Sequence, residues 1–96
     1  MAVGDIINGI TSATGVYTNY QPSSSVELIV TSITGYNDIW FGNYDGTNFT
    51  GTYAVSSSTS GAYGQMSEMK LGITNTYYFR FQSNWTRAYF SAIQTK

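Results

Sequence analysis

Short runs of alternating apolar and polar residues, separated by clusters of Gly, Asn, Asp and Ser, continue along the whole chain. β-Branched and aromatic residues dominate these runs, and nowhere do apolar residues recur at the spacing of an amphipathic helix. The pattern is typical of strands joined by turns. The runs cover residues 5–10, 16–20, 26–34, 39–44, 47–55, 66–71, 77–82 and 85–95.

About eight short strands at spacings of roughly ten residues fit an antiparallel β-sandwich, jelly-roll-like in its winding, better than other all-β architectures. No linker, internal repeat or shift in composition divides the 96 residues. The sequence therefore predicts a single β-sandwich domain over residues 1–96.

Residues 26–34 and the dipeptide Asp45-Gly46 give the most specific local predictions. The run 26–34 is apolar on both alternating sets near its middle, which predicts a central strand covered on both sides. Asp45-Gly46 is a hairpin signal, and we expect a type I′ turn there, because both central positions of that turn need positive φ. The runs on either side of it are then antiparallel partners.

The alternation in residues 77–82 predicts which side chains reach the interior. We expect Tyr77, Phe79 and Phe81 to face the core, and Arg80 and Gln82 to face solvent. The thin core of a small sandwich is thus filled largely by aromatic rings.

The chain contains neither cysteine nor histidine, and only 9% of its residues are charged, with a net charge of −1. Small domains bury thin cores and usually add disulfides, a metal or an oligomeric contact. Without cysteine or histidine, the expected supplement is self-association or docking on a partner. A weakly charged exterior also favours a surface that is covered in an assembly, so we expect a homo-oligomer.

The same absences argue against most catalytic and metal-dependent chemistry. Ser-His-Asp and Cys-His triads need residues that this chain lacks, as do zinc sites built from imidazole or thiolate. Asp38 and Asp45 are the one plausible carboxylate pair for glycoside hydrolysis, but both lie at predicted turn positions, where Asp is favoured for local hydrogen bonding. We expect a non-enzymatic protein with no cofactor and no metal ion.

Other partner classes are also disfavoured. The four Lys and Arg residues are scattered, so no basic patch for nucleic acid can be drawn. No apolar run approaches the ~20 residues of a membrane span. The first residues lack the basic and apolar regions of a signal peptide, and we expect none.

Aromatic residues, 17% of the chain, allow two interpretations. Trp40, Tyr44 and Trp85 are candidates for a sugar-stacking platform like those of carbohydrate-binding β-sandwich modules. Core packing and subunit contact are favoured for most rings, because large rings fill a thin sandwich and tyrosine combines apolar area with a polar tip.

Five segments set the strand spacing and turn placement over most of the chain. They are Gln21-Pro22 with the apolar run 26–33, the segment 42–47 with its Asp45-Gly46 turn, Met69-Lys70, and the segments 73–77 and 92–96. In composition, spacing and turns the chain resembles the small β-rich structural proteins of tailed bacteriophages, in particular capsid decoration (cement) proteins.

The resemblance implies a jelly-roll-like sandwich, commonly trimeric, which sits between capsomers of the virion and clamps neighbouring major capsid subunits. It implies assembly in the host cytoplasm and stabilisation of the shell by mass action. A phage tail-fibre or receptor-binding tip and a free carbohydrate-binding module stay open as alternatives. Contacts with the shell or neighbours are expected in the N-terminal segment, the loops 11–15 and 56–64, and the last strand. The expected contact residues are Val3, Ile6, Ile7, Ile10, Tyr63, Trp85 and Tyr89.

Overall fold

The computed structural model describes the backbone of residues 2–36, 38–55, 63–66, 69–83 and 86–96, and the side chains of these except 36, 38, 51–55 and 63–66. The described residues form strands joined by turns and contain no helix that could cross a membrane. The strands are β1 (Ile6–Ile10), β2 (Thr18–Tyr20), β3 (Leu28–Tyr36), β4 (Asp38–Tyr44), β5 (Phe49–Val55), β6 (Tyr63–Met66), β7 (Leu71–Ile73), β8 (Tyr78–Ser83) and β9 (Tyr89–Gln94).

Two antiparallel sheets share these strands. The first sheet has the order β1-β9-β3-β6, with β7 also paired to β3, and the second has the order β2-β8-β4-β5. Working inward from the ends of the chain, β1 pairs with β9, β2 with β8, β3 with β6 and β7, and β4 with β5. This nested pairing is the winding of a jelly roll, so the predicted all-β sandwich is confirmed.

The strands β6 and β7 are two halves of one edge strand. β6 pairs with residues 33–36 of β3 and β7 pairs with residues 28–30, in the same antiparallel sense. Between them the Met69 N–H donates to the Thr31 carbonyl at 3.1 Å, which continues the ladder. The strand predicted over residues 66–71 is confirmed only at its ends, Met66 in β6 and Leu71 in β7. Residues 69 and 70 belong to neither strand, and residues 67 and 68 lie outside the described residues.

A bulge at Thr31 decides which face of β3 is apolar. The register on β9 shifts between Val30 and Ser32, so Leu28 and Val30 face the core before the bulge and Ile33 faces it afterwards. Without the extra residue, strict alternation would turn Ile33 outward. β3 lies between β9 on one side and β6 with β7 on the other, which agrees with the prediction of a central strand. Its outer face is not covered as predicted, because Ile29 there is only half-buried.

Phenylalanine rings from both sheets form the centre of the core. Phe79 and Phe81 of β8 lie stacked with ring centroids 4.9 Å apart, and Phe90 of β9 meets them edge-on at 5.0 and 5.1 Å. The inward prediction for Phe79 and Phe81 is confirmed, whereas Tyr77 precedes β8 and is 58% exposed. The other buried apolar side chains are Leu28, Val30, Ile33, Ile39, Phe41, Ile73, Ala88 and Ala92.

The hairpin predicted at Asp45-Gly46 is present, but its turn is longer than expected. Tyr44 pairs with Phe49, which leaves the four residues 45–48 as the connection between β4 and β5. Gly46 has φ 98°, whereas Asp45 is not among the residues with positive φ, so the turn is not of type I′. The carboxylate of Asp45 instead accepts the N–H groups of Thr47 and Asn48, which holds the loop closed.

Candidate functional site

The outer surface of the first sheet carries most of the large apolar side chains that solvent reaches. We call it the apolar face, and it consists of Ile6, Ile10, Ile29, Tyr89 and Ile93. Ile6 is 69% exposed, Tyr89 54%, Ile93 41% and Ile10 39%. Isolated exposed apolar residues are normal, but several on one sheet surface indicate a contact area.

Strand register arranges the apolar face in two rows. Ile6, Ile93 and Ile29 lie directly opposite one another on β1, β9 and β3, and Ile10 lies opposite Tyr89. Four residues along β1 separate the rows by about 13 Å. Between them lies a polar row of Asn8, Ser91 and Ser32.

A shallow groove of about 640 Å³ borders the first row. Ile29, Ile93 and Met69 supply its apolar walls, and Lys70 with two threonines supplies polar groups at its rim. The groove lies beside Met69 and Lys70, the two residues that precede β7.

The expected contact residues divide between different places. Ile6, Ile10 and Tyr89 do share the apolar face, whereas Ile7 turns inward, lies opposite Ala92 and packs against the core. Val3 is 70% exposed in the turn before β1.

The side chains of two further expected contacts, Tyr63 and Trp85, lie outside the described residues. The backbone of Tyr63 begins β6, but its side chain lies outside the described residues, as do Trp85 and most of the loop 56–64. The loop 11–15 joins β1 to the segment before β2, and its Thr11 is fully buried.

The outer surface of the second sheet is aromatic. Trp40 and Tyr44 are half-buried on β4, four residues apart and on the same side, opposite the inward Ile39 and Phe41. Trp40 and Tyr44 therefore share one surface, as a platform requires, whereas Trp85, the third candidate, lies outside the described residues. Tyr78 lies opposite Tyr44 in the register, and their ring centroids are 5.7 Å apart.

An arginine occupies the middle of this surface. The Arg80 guanidinium carbon lies 4.2 Å from the ring centroid of Tyr44, 4.9 Å from that of Tyr17 and 5.5 Å from that of Phe49. Such distances are those of cation–π contacts. Tyr17 and Phe49 also meet each other edge-on at 5.3 Å, so three rings surround one cation. We call this group the arginine box.

Two glycines make room for the arginine box. Gly42 of β4 lies opposite Arg80 on one side and opposite Gly51 of β5 on the other. Because glycine has no side chain, the pair leaves space on the outer surface of the sheet. Tyr17 and Phe49, which come from opposite edges of the sheet, contact Arg80 there. The alternation in residues 77–82 predicts that Arg80 points outward, but it does not predict the arginine box. Glycines inside strands were the available signal, because they often mark a place where another group approaches the backbone closely.

The carboxyl groups of the described residues lie apart from one another. No three carboxyl, imidazole or thiol groups of this part of the chain come together as metal ligands would. The pKa of Asp45 is lowered because its carboxylate accepts the N–H groups of Asn48 and Thr47. That carboxylate has a structural role in the hairpin loop.

The two sheets thus have different outer surfaces, one apolar and one aromatic with a central cation, on opposite sides of the sandwich. No protein-family model, no curated protein and no solved structure matches the chain.

Proposed function

We propose that this chain is a non-enzymatic virion structural protein: a capsid decoration (cement) protein that binds the major capsid protein on the outer shell and stabilises it. The single observation that carries the proposal is the apolar face, whose rows of isoleucine and tyrosine stay uncovered in the isolated chain. Resemblance to cement proteins in composition and turn placement adds to it.

Apolar burial supplies the driving force for docking. Fully burying an exposed isoleucine contributes about 1.5–3 kcal/mol. Ile93 is 41% exposed, Tyr89 54% exposed and Ile29 half-buried, so each supplies part of such a value against a complementary shell surface. The polar row between them gives hydrogen-bonding groups that fix the orientation. Bound copies then favour the shell conformation that they recognise.

The edge strand β1 suits contact between copies. No described strand pairs with its outer edge, and its outward Ile6 and Ile10 extend the apolar face to that edge. Open edges with apolar side chains are natural templates for another chain. We assign this edge to the neighbouring copy in a trimer, and the β9–β3 part of the face to the shell.

Adding the protein back to heads that lack it tests the proposal. Expanded heads of the parent phage, assembled without this chain, are mixed with purified protein and sedimented. Wild type should bind in many copies per head, and Ile93→Glu should bind at least about tenfold more weakly, because a charge would be buried against the shell. Val16→Glu is the matched control, since Val16 is 46% exposed but precedes β2 in the other sheet.

Three outcomes would contradict the proposal: no binding to heads, a few copies only at the tail, or equal loss in Ile93→Glu and Val16→Glu. A few copies at the tail would instead favour the tail-fibre or receptor-binding tip.

A further inference from the structure

The arginine box holds a cation that nothing in the described part of the chain neutralises. The one ion pair among the described residues joins Lys96 to Glu27, so no described carboxylate pairs with Arg80. The Nε atom of Arg80 is buried without a hydrogen-bond partner. The closest acidic neighbour in sequence to the box, Asp45, directs its carboxylate to its own loop.

An arrangement of this kind has a cost that the fold does not need. A buried polar group without a hydrogen-bond partner destabilises a fold, and cation–π contacts offset only part of this. A methionine or leucine would cover Gly42 and Gly51 without that cost. A charge kept at that cost is better explained by an anion from outside, which would bind the Nη groups of Arg80 because Nε is buried.

The chemistry of the box selects the kind of anion. A guanidinium presents a rigid fork of N–H donors that matches a carboxylate in two parallel hydrogen bonds. One arginine without a second cation suits a single negative charge, whereas a nucleic-acid backbone would need several bases side by side.

The aromatic rings around the Arg80 guanidinium indicate which chemical group accompanies the carboxylate in the ligand. Tyr17, Tyr44 and Phe49 surround the guanidinium, and Tyr78 meets Tyr44 edge-on. Trp40 lies four residues along β4 from Tyr44 on the same side. That spacing is about 13 Å, which is longer than one sugar ring. Aromatic side chains with a few polar groups are typical of small-ligand sites and stack on the C–H faces of sugars.

We propose that Arg80 and the aromatic side chains around it form a binding site for an acidic saccharide, with the guanidinium holding the carboxylate and the rings holding the sugar. The site lies on the sheet opposite to the apolar face. A domain docked by the apolar face therefore keeps it exposed, so the two surfaces can act together. The saccharide site goes beyond the proposed decoration function and does not depend on it.

Calorimetric titration of the purified wild-type chain tests the site. The probes are trigalacturonic acid with its neutral counterpart trigalactose, and sialyllactose with lactose, so that uronate and sialate sources of the carboxylate are compared separately. At least one acidic probe should bind about tenfold or more tightly than its neutral counterpart, and its affinity should fall as salt is added.

Variants then connect the binding to the arginine. Arg80→Gln should lose about tenfold or more in affinity for the acidic probe, and Arg87→Gln should not, because Arg87 is exposed and donates to the Ser12 carbonyl elsewhere. If Arg80→Gln fails to fold, the Nε–H resonance of Arg80 in the wild-type chain is followed by NMR during the titration. It should shift with the acidic probe and stay in place with the neutral one.

Absence of binding by every acidic probe would overturn the inference. So would equal affinity for acidic and neutral probes, unchanged affinity in Arg80→Gln, or an Nε–H resonance that ignores the ligand. Ile93→Glu should keep wild-type saccharide affinity, which separates failure of this site from failure of capsid binding.

Discussion

Gly9 of β1 lies directly opposite Phe90 of β9, and the ring of Phe90 occupies the space that a side chain at Gly9 would need. The same ring reaches Phe79 and Phe81 of the second sheet. The absence of a side chain on an edge strand thus allows one ring to connect β1, β9 and β8.

Gly9→Ala should therefore destabilise the domain. The added methyl group meets ring carbons of Phe90 at less than contact distance, and Phe90 is held by two other rings, so it cannot move freely. We expect a loss of about 1–3 kcal/mol in the free energy of unfolding, measured with denaturant. Gly72→Ala is the control, since its methyl group would meet no atom within 4 Å. Equal stability of the two variants would contradict the packing described.

Thr11 should contribute through its hydroxyl group. It is fully buried just after β1, its hydroxyl oxygen accepts the Ala88 N–H at 3.0 Å, and its own N–H donates to the Ala88 carbonyl at 2.9 Å. Thr11→Val keeps the shape but leaves the Ala88 N–H without an acceptor, which should cost about 1–3 kcal/mol. Thr11→Ser keeps the acceptor and should lose less. If Thr11→Ser lowers the free energy of unfolding more than Thr11→Val does, Thr11 contributes through packing of its methyl group rather than through the hydrogen bond.

The hairpin loop should make stability depend on pH. The pKa of Asp45 lies below its ordinary value of 3.8 because its carboxylate accepts the N–H groups of Asn48 and Thr47. A carboxyl group whose pKa is lower in the folded state stabilises the fold above its unfolded pKa and loses that contribution as the pH falls through the folded value. Thermal unfolding midpoints should therefore drop between about pH 5 and pH 2, and less steeply in Asp45→Asn. If the unfolding midpoint falls equally steeply with pH in the wild-type chain and in Asp45→Asn, Asp45 is not the cause of the pH dependence.

Self-association should follow from the open edge of β1. Sedimentation equilibrium of the wild-type chain should give a mass near three times its 10.6 kDa. Ile6→Glu with Ile10→Glu should shift the distribution to the monomer, because both side chains point outward from the unpaired strand. A wild-type chain that stays monomeric at high concentration would contradict the trimer, though not the docking face.

The sequence predicts the sandwich because its alternation is strong wherever one sheet face is buried. In β8 and β9 every second residue is buried, as the period of two requires; Phe79, Phe81, Phe90 and Ala92 are apolar, and only the last inward residue of each strand, Ser83 and Gln94, is polar. Turn residues separate most strands. Element type and inward face could therefore be predicted without knowledge of any contact.

Features that depend on pairing could not be predicted in this way. The bulge at Thr31 follows from the way β3 pairs with β9, and the two edge strands β6 and β7 follow from the way they share the other side of β3. The arginine box needs Tyr17 and Phe49 from opposite edges of one sheet to meet over Arg80, which only the register across four strands decides. The apolar face was half-predicted: Ile6, Ile10 and Tyr89 were expected contacts, and Ile29 and Ile93 join them only through the register.

Electron cryomicroscopy of intact phage heads tests the central claim most directly, because it shows what covers the apolar face. The proposal predicts density for this sandwich in many copies on the outer shell, with Ile93 and Ile29 against the major capsid protein and the Arg80 surface turned to solvent. Heads without such density, or with Ile93 and Ile29 facing solvent in every copy, would contradict it.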